Sequence, residues 1–407
     1  MLDLDGRVAV LGLGRSGKAV VDWALSRPGH GPGDVTVFVE HDTPQMREAA
    51  ADLIGRGVRV EVGASALPEG EFELIVSSPG IAPRRPLLAS ALRSGAPVVS
   101  ELELAYQVSV APIVAVTGTN GKTTTTALIA HLLAAAGISA EAAGNIGTPA
   151  LDVARALPAE AVLVAECSSF QLALTLEFKP RVAVLLNVTP DHIDWHGSLE
   201  AYAADKGRVF AHQSAGDVAI VDIDDPGSAA LLLLGSHGGA SVTRVSVRGM
   251  AEARLAGGCL IVDGDDGPIR LVRVDELLIA GAHNVSNALA ASAVALAVGA
   301  SPEAVREGLR TFAPIEHRLE PVATLAGVRY VNDSKATNPD AVLKALTAFG
   351  GSPLMVLVGG RNKGNDFSEL ARACGERRCL SVLYGEARPE LERAFRDAGA
   401  PYVLADG

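Results

Sequence analysis

In the stretch VAVTGTNGKTTTTALIAHLLAAAG, residues 114–137, two glycines, a lysine and four threonines in a row stand between an apolar run and a helical pattern. That order suits a phosphate-binding loop. Gly118 and Gly121 let backbone N–H groups turn inward, the helix start adds positive potential, and Lys122 reaches the outer phosphates. Thr123 brings a hydroxyl suited to a magnesium ion. The widespread pattern G-x-x-x-x-G-K-[ST] asks for glycine at position 116, where this chain has Val116. The loop then works only if Val116 belongs to the strand that feeds it.

Other chemistry-bearing residues are spread along the chain. GLGRSG, residues 12–17, is a full G-x-G-x-x-G after an apolar run, and Glu40 closes the next such run. A phosphate-bearing ligand can approach that backbone closely, and both NAD and a nucleotide-sugar fit. Glu166 ends the strand-like run in AVLVAECSSF, and NVTPDHIDWH sets Asp191, His192, Asp194 and His196 after the following run. A carboxylate and an imidazole beside a phosphate loop can hold a metal, although a lone histidine is as readily a hydrogen-bonded core residue. Loop, Glu166 and His192 follow three successive strand-like runs, which puts them at one edge of a parallel sheet. Asn284 and Asn287 in HNVSNALAA read as helix caps or as ligands. EHRLE, NDSKATNPDA and GGRNKGNDF gather His317, Arg318, Asp333, Ser334, Lys335, Thr337, Asn338, Arg361 and Lys363. Basic residues in the loops of an acidic protein suggest anion recognition; a solvated turn is the alternative for any one of them.

The elements that must position these groups are α/β in style. RVAVLGLG, VTVFVE and ELIVSSPG alternate with helical patterns, as do APIVAVTG, AVLVAECSSF and RVAVLLNVTPDH after them. At 407 residues the chain suits two or three domains. The expected division is 1–103, 104–313 and 314–407. A net charge of −12 argues against a general nucleic-acid binder. The N-terminus lacks the pattern of a signal peptide, and the Ala-rich segment 286–301 is too short to span a membrane and reads as a buried helix. Cys167, Cys259, Cys374 and Cys379 form neither a zinc-knuckle nor a disulfide pattern and read as reduced thiols.

In order along the chain, TGTNGKTTTT, GNIG (144–147), AECSSFQL, NVTPDHIDWHG, HNVSNALAA, EHRLE, NDSKATNP and GGRNKGNDF resemble the Mur ligases. The likeness runs from residue 7 to residue 370, and that family's compact T-G-T-N-G-K-T loop needs no glycine at 116. GLGRSG and SSPGI (77–81) are most similar to the branch that adds D-glutamate. The resemblance implies three domains. The first is Rossmann-like, the second is a central P-loop ATPase-like parallel sheet, and the third is Rossmann-like and, against the family pattern, incomplete.

It also implies a reaction. ATP phosphorylates the terminal carboxylate of UDP-N-acetylmuramoyl-L-alanine, the D-glutamate amine attacks the acyl phosphate, and the amide, ADP and phosphate leave. Gly118, Thr119, Asn120, Gly121, Lys122, Thr123 and Thr124 match the ATP loop; Asn287, Arg318, Asp333 and Lys335 match further nucleotide contacts. Thr123, Glu166, His192 and Lys206 match the surroundings of two magnesium ions, with Lys206 the lysine that the family carbamylates. Asn145 and Ser168 match the lining between substrate tail and ATP, Thr337 and Lys363 the D-glutamate site. Gly14, Arg15, Ser16 and Gly17, with Ser78 and Glu40, match the UDP cradle. A cytoplasmic monomer in peptidoglycan precursor synthesis is expected, with no nucleic-acid partner and no membrane insertion. Three alternatives remain at this level: folylpolyglutamate synthase, against which GLGRSG argues, an NAD-dependent dehydrogenase, and a non-catalytic nucleotide-binding module.

Overall fold

A computed structural model describes residues 2 and 4–406, apart from 236, 280, 315–318, 350 and 363. The first five strands are β1 Val8–Leu11, β2 Val35–Val39, β3 Arg59–Val62, β4 Leu74–Ser77 and β5 Val98–Ser100. They form a wholly parallel sheet in the order β3-β2-β1-β4-β5. The order reverses direction beside β1, and GLGRSG follows β1 at that switch point.

A nine-stranded sheet comes next. Its strands are β6 Ile113–Thr117, β7 Ala140–Gly144, β8 Val162–Glu166, β9 Val182–Leu185, β10 Val218–Asp222, β11 Ser241–Ser246, β12 Ala253–Ala256, β13 Cys259–Gly264 and β14 Gly267–Arg273. The order is β14-β13-β12-β11-β10-β9-β6-β8-β7, parallel from β7 as far as β12 and antiparallel beyond it. β15 Glu320–Leu325 and β16 Val328–Asn332 pair antiparallel. β17 Met355–Val358, β18 Leu380–Leu383 and β19 Tyr402–Leu404 make a parallel trio around which the last core gathers.

Strand periodicity explains why β6, β8 and β9 are apolar throughout. Successive side chains point to opposite faces, so a strand covered on both faces must be apolar at every position. Ile113 and Ala115, Leu163 and Ala165, and Ala183 and Leu185 join a core that continues to Val8 and Val10 of the first sheet and to Trp23 of the helix Arg15–Ser26. Val114 and Val116, Val162 and Val164, and Val182 and Val184 face the other way, toward the helices Lys122–Ala135 and Ala282–Val298. Val116 lies inside β6, paired with Glu166 of β8 and Val184 of β9. Residues 286–298 of the Ala-rich segment lie in the buried helix Ala282–Val298, and no described helix is long and apolar enough to cross a membrane. Two strands give little sign in sequence: β7 reads AEAAG and β12 ARLA, both poor in the branched residues that favour strands.

The helix Glu101–Val108 joins the first two sheets and buries two carboxylates. Glu103 accepts backbone N–H groups from Leu176 at 2.8 Å and from Glu177 and Phe178 at 3.1 Å. Glu101 Oε1 accepts from Leu151 N at 2.6 Å in the first turn of the helix Ala150–Ala156, whose cap residue, Pro149, provides no side-chain bond. Burial pushes the Glu101 carboxyl up to about 7; the Leu151 N–H opposes this and the Asp152 charge adds to it. Folding therefore favours the protonated acid. The stabilisation is complete below the ordinary value of 4.5 and is lost as pH rises through about 7. Glu101→Gln is expected to gain on the wild type by up to about 3 kcal/mol between pH 5 and pH 8, read from urea midpoints at the two pH values.

Candidate active site

Parallel pairing carries the ends of β7, β8, β6 and β9 to one edge of the sheet, and the site is built there. The phosphate loop leaves β6 at Gly118 and enters the helix at Lys122. Gly118 has φ +154° and Gly121 φ +88°. A Cβ on Gly121 would sit 2.6 Å from Asn287 Oδ1, and one on Gly118 would sit 3.0 Å from Leu186 Cβ. Conformation and crowding both require glycine at these positions.

The loop is clamped from β9. Thr119 N donates to Asn187 O at 2.8 Å and Asn120 N to Asn187 Oδ1 at 2.8 Å, while Asn187 Nδ2 donates to Asn120 O at 3.0 Å. Thr119 Oγ1 donates to Thr189 O at 3.1 Å and lies 3.0 Å from the Tyr202 hydroxyl. Lys122 Nζ donates to the Gly118 and Thr119 carbonyls at 2.9 Å each. Thr123 and Thr124 are buried in the first helical turn. Asn187, Thr189 and Tyr202 were not singled out from the sequence. The polar end of LLNVTPDH was the available signal for the first two, but a clamp on backbone groups leaves no spacing pattern.

Glu166 closes β8 and is 2% exposed. Its Oε1 accepts from Asn145 Nδ2 at 2.9 Å, and its Oε2 is buried without a hydrogen-bond partner. A buried carboxylate oxygen left bare in this way suits a cation. Asn145 arrives through β7, where Gly144 pairs with Glu166 and a Cβ on that glycine would sit 2.5 Å from the Glu166 carbonyl. His192 has a left-handed backbone, φ +54°; its Nε2 lies 3.6 Å from Asp191 Oδ2 and its ring meets Phe170 edge-on. Among the described residues no group of three or more His, Cys, Asp or Glu side chains that could hold a metal ion is assembled.

Lys206 is 1% exposed, and its Nζ donates to Gly118 O at 2.8 Å. Burial, then the nearby Lys122 charge, hold its ammonium well below the usual range; Asp191, Cys167 and Glu166 pull the other way. The neutral amine is thereby favoured. Its helix, Leu199–Gly207, also carries Tyr202 and Asp205. Asp205 Oδ2 lies 2.7 Å from His196 Nδ1, and His196 Nε2 lies 3.0 Å from Ser169 Oγ. His196 is thus a core histidine that ties this helix to the segment after Glu166.

The remaining residues are more dispersed. Neither Asn284 nor Asn287 caps the helix Ala282–Val298, because the cap residue is Gly281. Asn287 Nδ2 donates to Asn284 Oδ1 at 3.1 Å, and its Oδ1 occupies the space that a Cβ on Gly121 would need. Ser168 caps the short helix Ser169–Leu172: its hydroxyl accepts from Gln171 N and donates to Gln171 Oε1 at 2.8 Å. Asn120 turns its side chain to Asp340 and Asn338, so that what it offers the loop is backbone. Asp333 Oδ1 accepts from Leu319 N at 3.2 Å; Lys335 and Thr337 are exposed. Arg318 and Lys363, like His317, lie outside the described residues.

At the first sheet, Gly14 caps the helix Arg15–Ser26, which contains Ser16, and Gly17 packs so closely that a Cβ would sit 2.2 Å from Gly12 O. Ser78 Oγ is buried without a hydrogen-bond partner next to Gly12. Arg15 Nη1 donates to Gly147 O at 2.7 Å and so links the first sheet's loop to the GNIG loop. Glu40 Oε2 accepts from Arg85 Nε at 2.9 Å, and Arg85 Nη2 lies 2.9 Å from His41 Nε2. Arg85 was not singled out from the sequence.

Three family descriptions match the chain: "Mur ligase MurD-like, N-terminal domain" over 6–100, "Mur ligase middle domain" over 116–295, and "Mur ligase, glutamate ligase domain" over 317–405. A UDP-N-acetylmuramoylalanine–D-glutamate ligase from Pelotomaculum thermopropionicum is 42% identical over 406 residues, covering 98% of this chain and 87% of the relative. The enzyme of the same name from Geobacillus kaustophilus is 40% identical over 400 residues, covering 97% and 85%. Among solved structures, UDP-N-acetylmuramate-alanine ligase MurC from Thermotoga maritima matches with a TM-score of 0.59 at 20% identity, covering 98% of this chain and 90% of that one. MurF ligase from the same organism in complex with ADP matches with a TM-score of 0.59 at 19% identity, covering 100% and 90%. These two likenesses concern the fold.

Asn187→Ala removes two side-chain bonds to the loop backbone. Affinity for ADP, measured by calorimetry, is expected to fall about tenfold with the circular-dichroism spectrum unchanged, since a backbone clamp is worth about 1–2 kcal/mol.

Proposed function

Because this chain belongs to the Mur ligase family, we propose that it is an ATP-dependent ligase joining D-glutamate to UDP-N-acetylmuramoyl-L-alanine in peptidoglycan precursor synthesis. A carboxylate is a poor electrophile, and phosphorylation gives it a good leaving group. Phosphoryl transfer then asks the protein for positioning and charge neutralisation. The observation that carries the reading is the shared sheet edge, where the glycine-shaped loop, the bare Glu166 Oε2 and the buried Lys206 amine come together.

In this reading the chain works as three units, 1–103 for the UDP moiety, 104–313 for ATP and 314–407 for the acceptor. The first boundary falls within the helix Glu101–Val108. The backbone from Gly118 to Thr124 and the Lys122 ammonium hold the nucleotide phosphates, with Asn287, Arg318, Asp333 and Lys335 completing the nucleotide side. Gly14 to Gly17 and Ser78 cradle the UDP part, with Glu40 fixed through Arg85. Asn145 and Ser168 line the path between the substrate tail and ATP, and Thr337 and Lys363 serve D-glutamate. Thr123, Glu166, His192 and a carbamylated Lys206 would hold magnesium at two sites; when bound, that ion offsets phosphate charge. Carbamylation needs a neutral amine, and the depressed Lys206 ammonium supports it. Four free, buried cysteines agree with a cytoplasmic setting, and a monomer suffices because all three units lie in one chain.

Phosphate release should require both UDP-N-acetylmuramoyl-L-alanine and D-glutamate; release driven equally well by another amino acid would overturn the acceptor assignment. Lys122→Ala is expected to abolish turnover in that assay. Lys206→Ala should lose at least about 100-fold and recover in part with added formate or acetate, which fills the carbamate's place. The intact wild-type mass should carry one added carbon dioxide; failure of both rescue and mass gain would remove the carbamate.

A further inference from the structure

The side chain of Asn120 crosses from the phosphate loop to the last unit. Asn120 Nδ2 donates to Asp340 Oδ2 at 2.6 Å, and Thr189 Oγ1 donates to the same oxygen at 3.2 Å. Lys344 Nζ, one turn along the helix Pro339–Thr347, is 2.8 Å from it. Three donors thus converge on one carboxylate oxygen. Asn338 caps this helix through its Oδ1, which accepts from Ala341 N at 2.8 Å. Its Nδ2 donates to Asp191 Oδ2 at 3.2 Å and lies 3.3 Å from Asn120 Oδ1. Asp191 Oδ1 in turn accepts from His192 N at 3.0 Å. The helix start is therefore seated on the phosphate loop and on the segment bearing His192.

Both ends of this contact are stiff. Asn120 sits between two left-handed glycines, with its backbone N–H and carbonyl both bonded to Asn187. The helix carries Leu346 into the separate core of the last unit, and Thr337, assigned to the acceptor, is the residue just before the cap. A shift of the loop on binding nucleotide must move Asp340, and a shift of the helix on binding acceptor must move Asn120.

We propose that Asp340 is a positioning residue. Through Asn120 and Thr189 it seats the helix Pro339–Thr347, and with it Thr337, on the phosphate loop, and so couples nucleotide and acceptor binding across the junction. The coupling rests on the ligase reading above; the seat itself does not. Linkage makes the coupling reciprocal, and two hydrogen bonds, from Asn120 and from Thr189, are together strong enough for an effect on the order of tenfold.

The test compares full-length wild type, Asp340→Ala and Asp340→Asn, the last keeping an oxygen that can accept from Asn120 and Thr189. Small-angle scattering without ligands should show a larger radius of gyration for Asp340→Ala and a wild-type value for Asp340→Asn. In the phosphate-release assay Asp340→Ala should raise KM for D-glutamate about tenfold, with kcat changed less than threefold, and Asp340→Asn should restore it. Unchanged scattering for Asp340→Ala overturns the seat, whatever the kinetics. Changed scattering with an unchanged KM overturns the coupling. A wild type that releases no phosphate with both substrates overturns the ligase reading, while the scattering still decides the seat.

Discussion

A lysine amine buried beneath a phosphate loop, with a carbonyl rather than a carboxylate as its hydrogen-bond partner, is the constraint around which this site is arranged. Burial alone disfavours the ammonium, and the Lys122 charge disfavours it further. Lys206 keeps its place because its helix also holds the loop through Tyr202 and is tied to the Glu166 segment through Asp205, His196 and Ser169. Cation and amine thus differ in setting: Lys122 Nζ is held by the Gly118 and Thr119 carbonyls, while burial favours the neutral amine at Lys206.

The loop is closely packed. Leu186, Asn187 and Asn287 close on it from two sides, so its two glycines are demanded by space as well as by backbone angle. Rigid placement of this kind suits phosphoryl transfer, in which the protein contributes geometry and charge. The last unit has a core of its own and meets the centre through a polar contact around Asn120, Asn338 and Asp340.

Much of this was legible in the sequence because its physics is local. The all-apolar runs of β6, β8 and β9 announce strands covered on both faces, and the position of Val116 inside β6 follows from the same pattern. The glycines, Lys122 and the threonine run name a phosphate loop by their order alone. The strand AEAAG was not legible, since alanine and glutamate favour helices, and only pairing with β8 holds it extended. Nor was the hydrogen bond from the Asn120 side chain to Asp340 legible, since its partner lies more than two hundred positions away in the chain.

The sequence by itself determined the fold class, the phosphate loop and the identity of the groups that can do chemistry, because period, glycine placement and residue type act over a few neighbouring positions. Only the tertiary structure decided how those groups are charged and what they touch. It left Glu166 Oε2 bare, buried Lys206 against a carbonyl, gave Ser168 to a helix cap, and set Asp340 on Asn120. Charge state depends on burial and on residues distant in the chain, and folding alone brings those together.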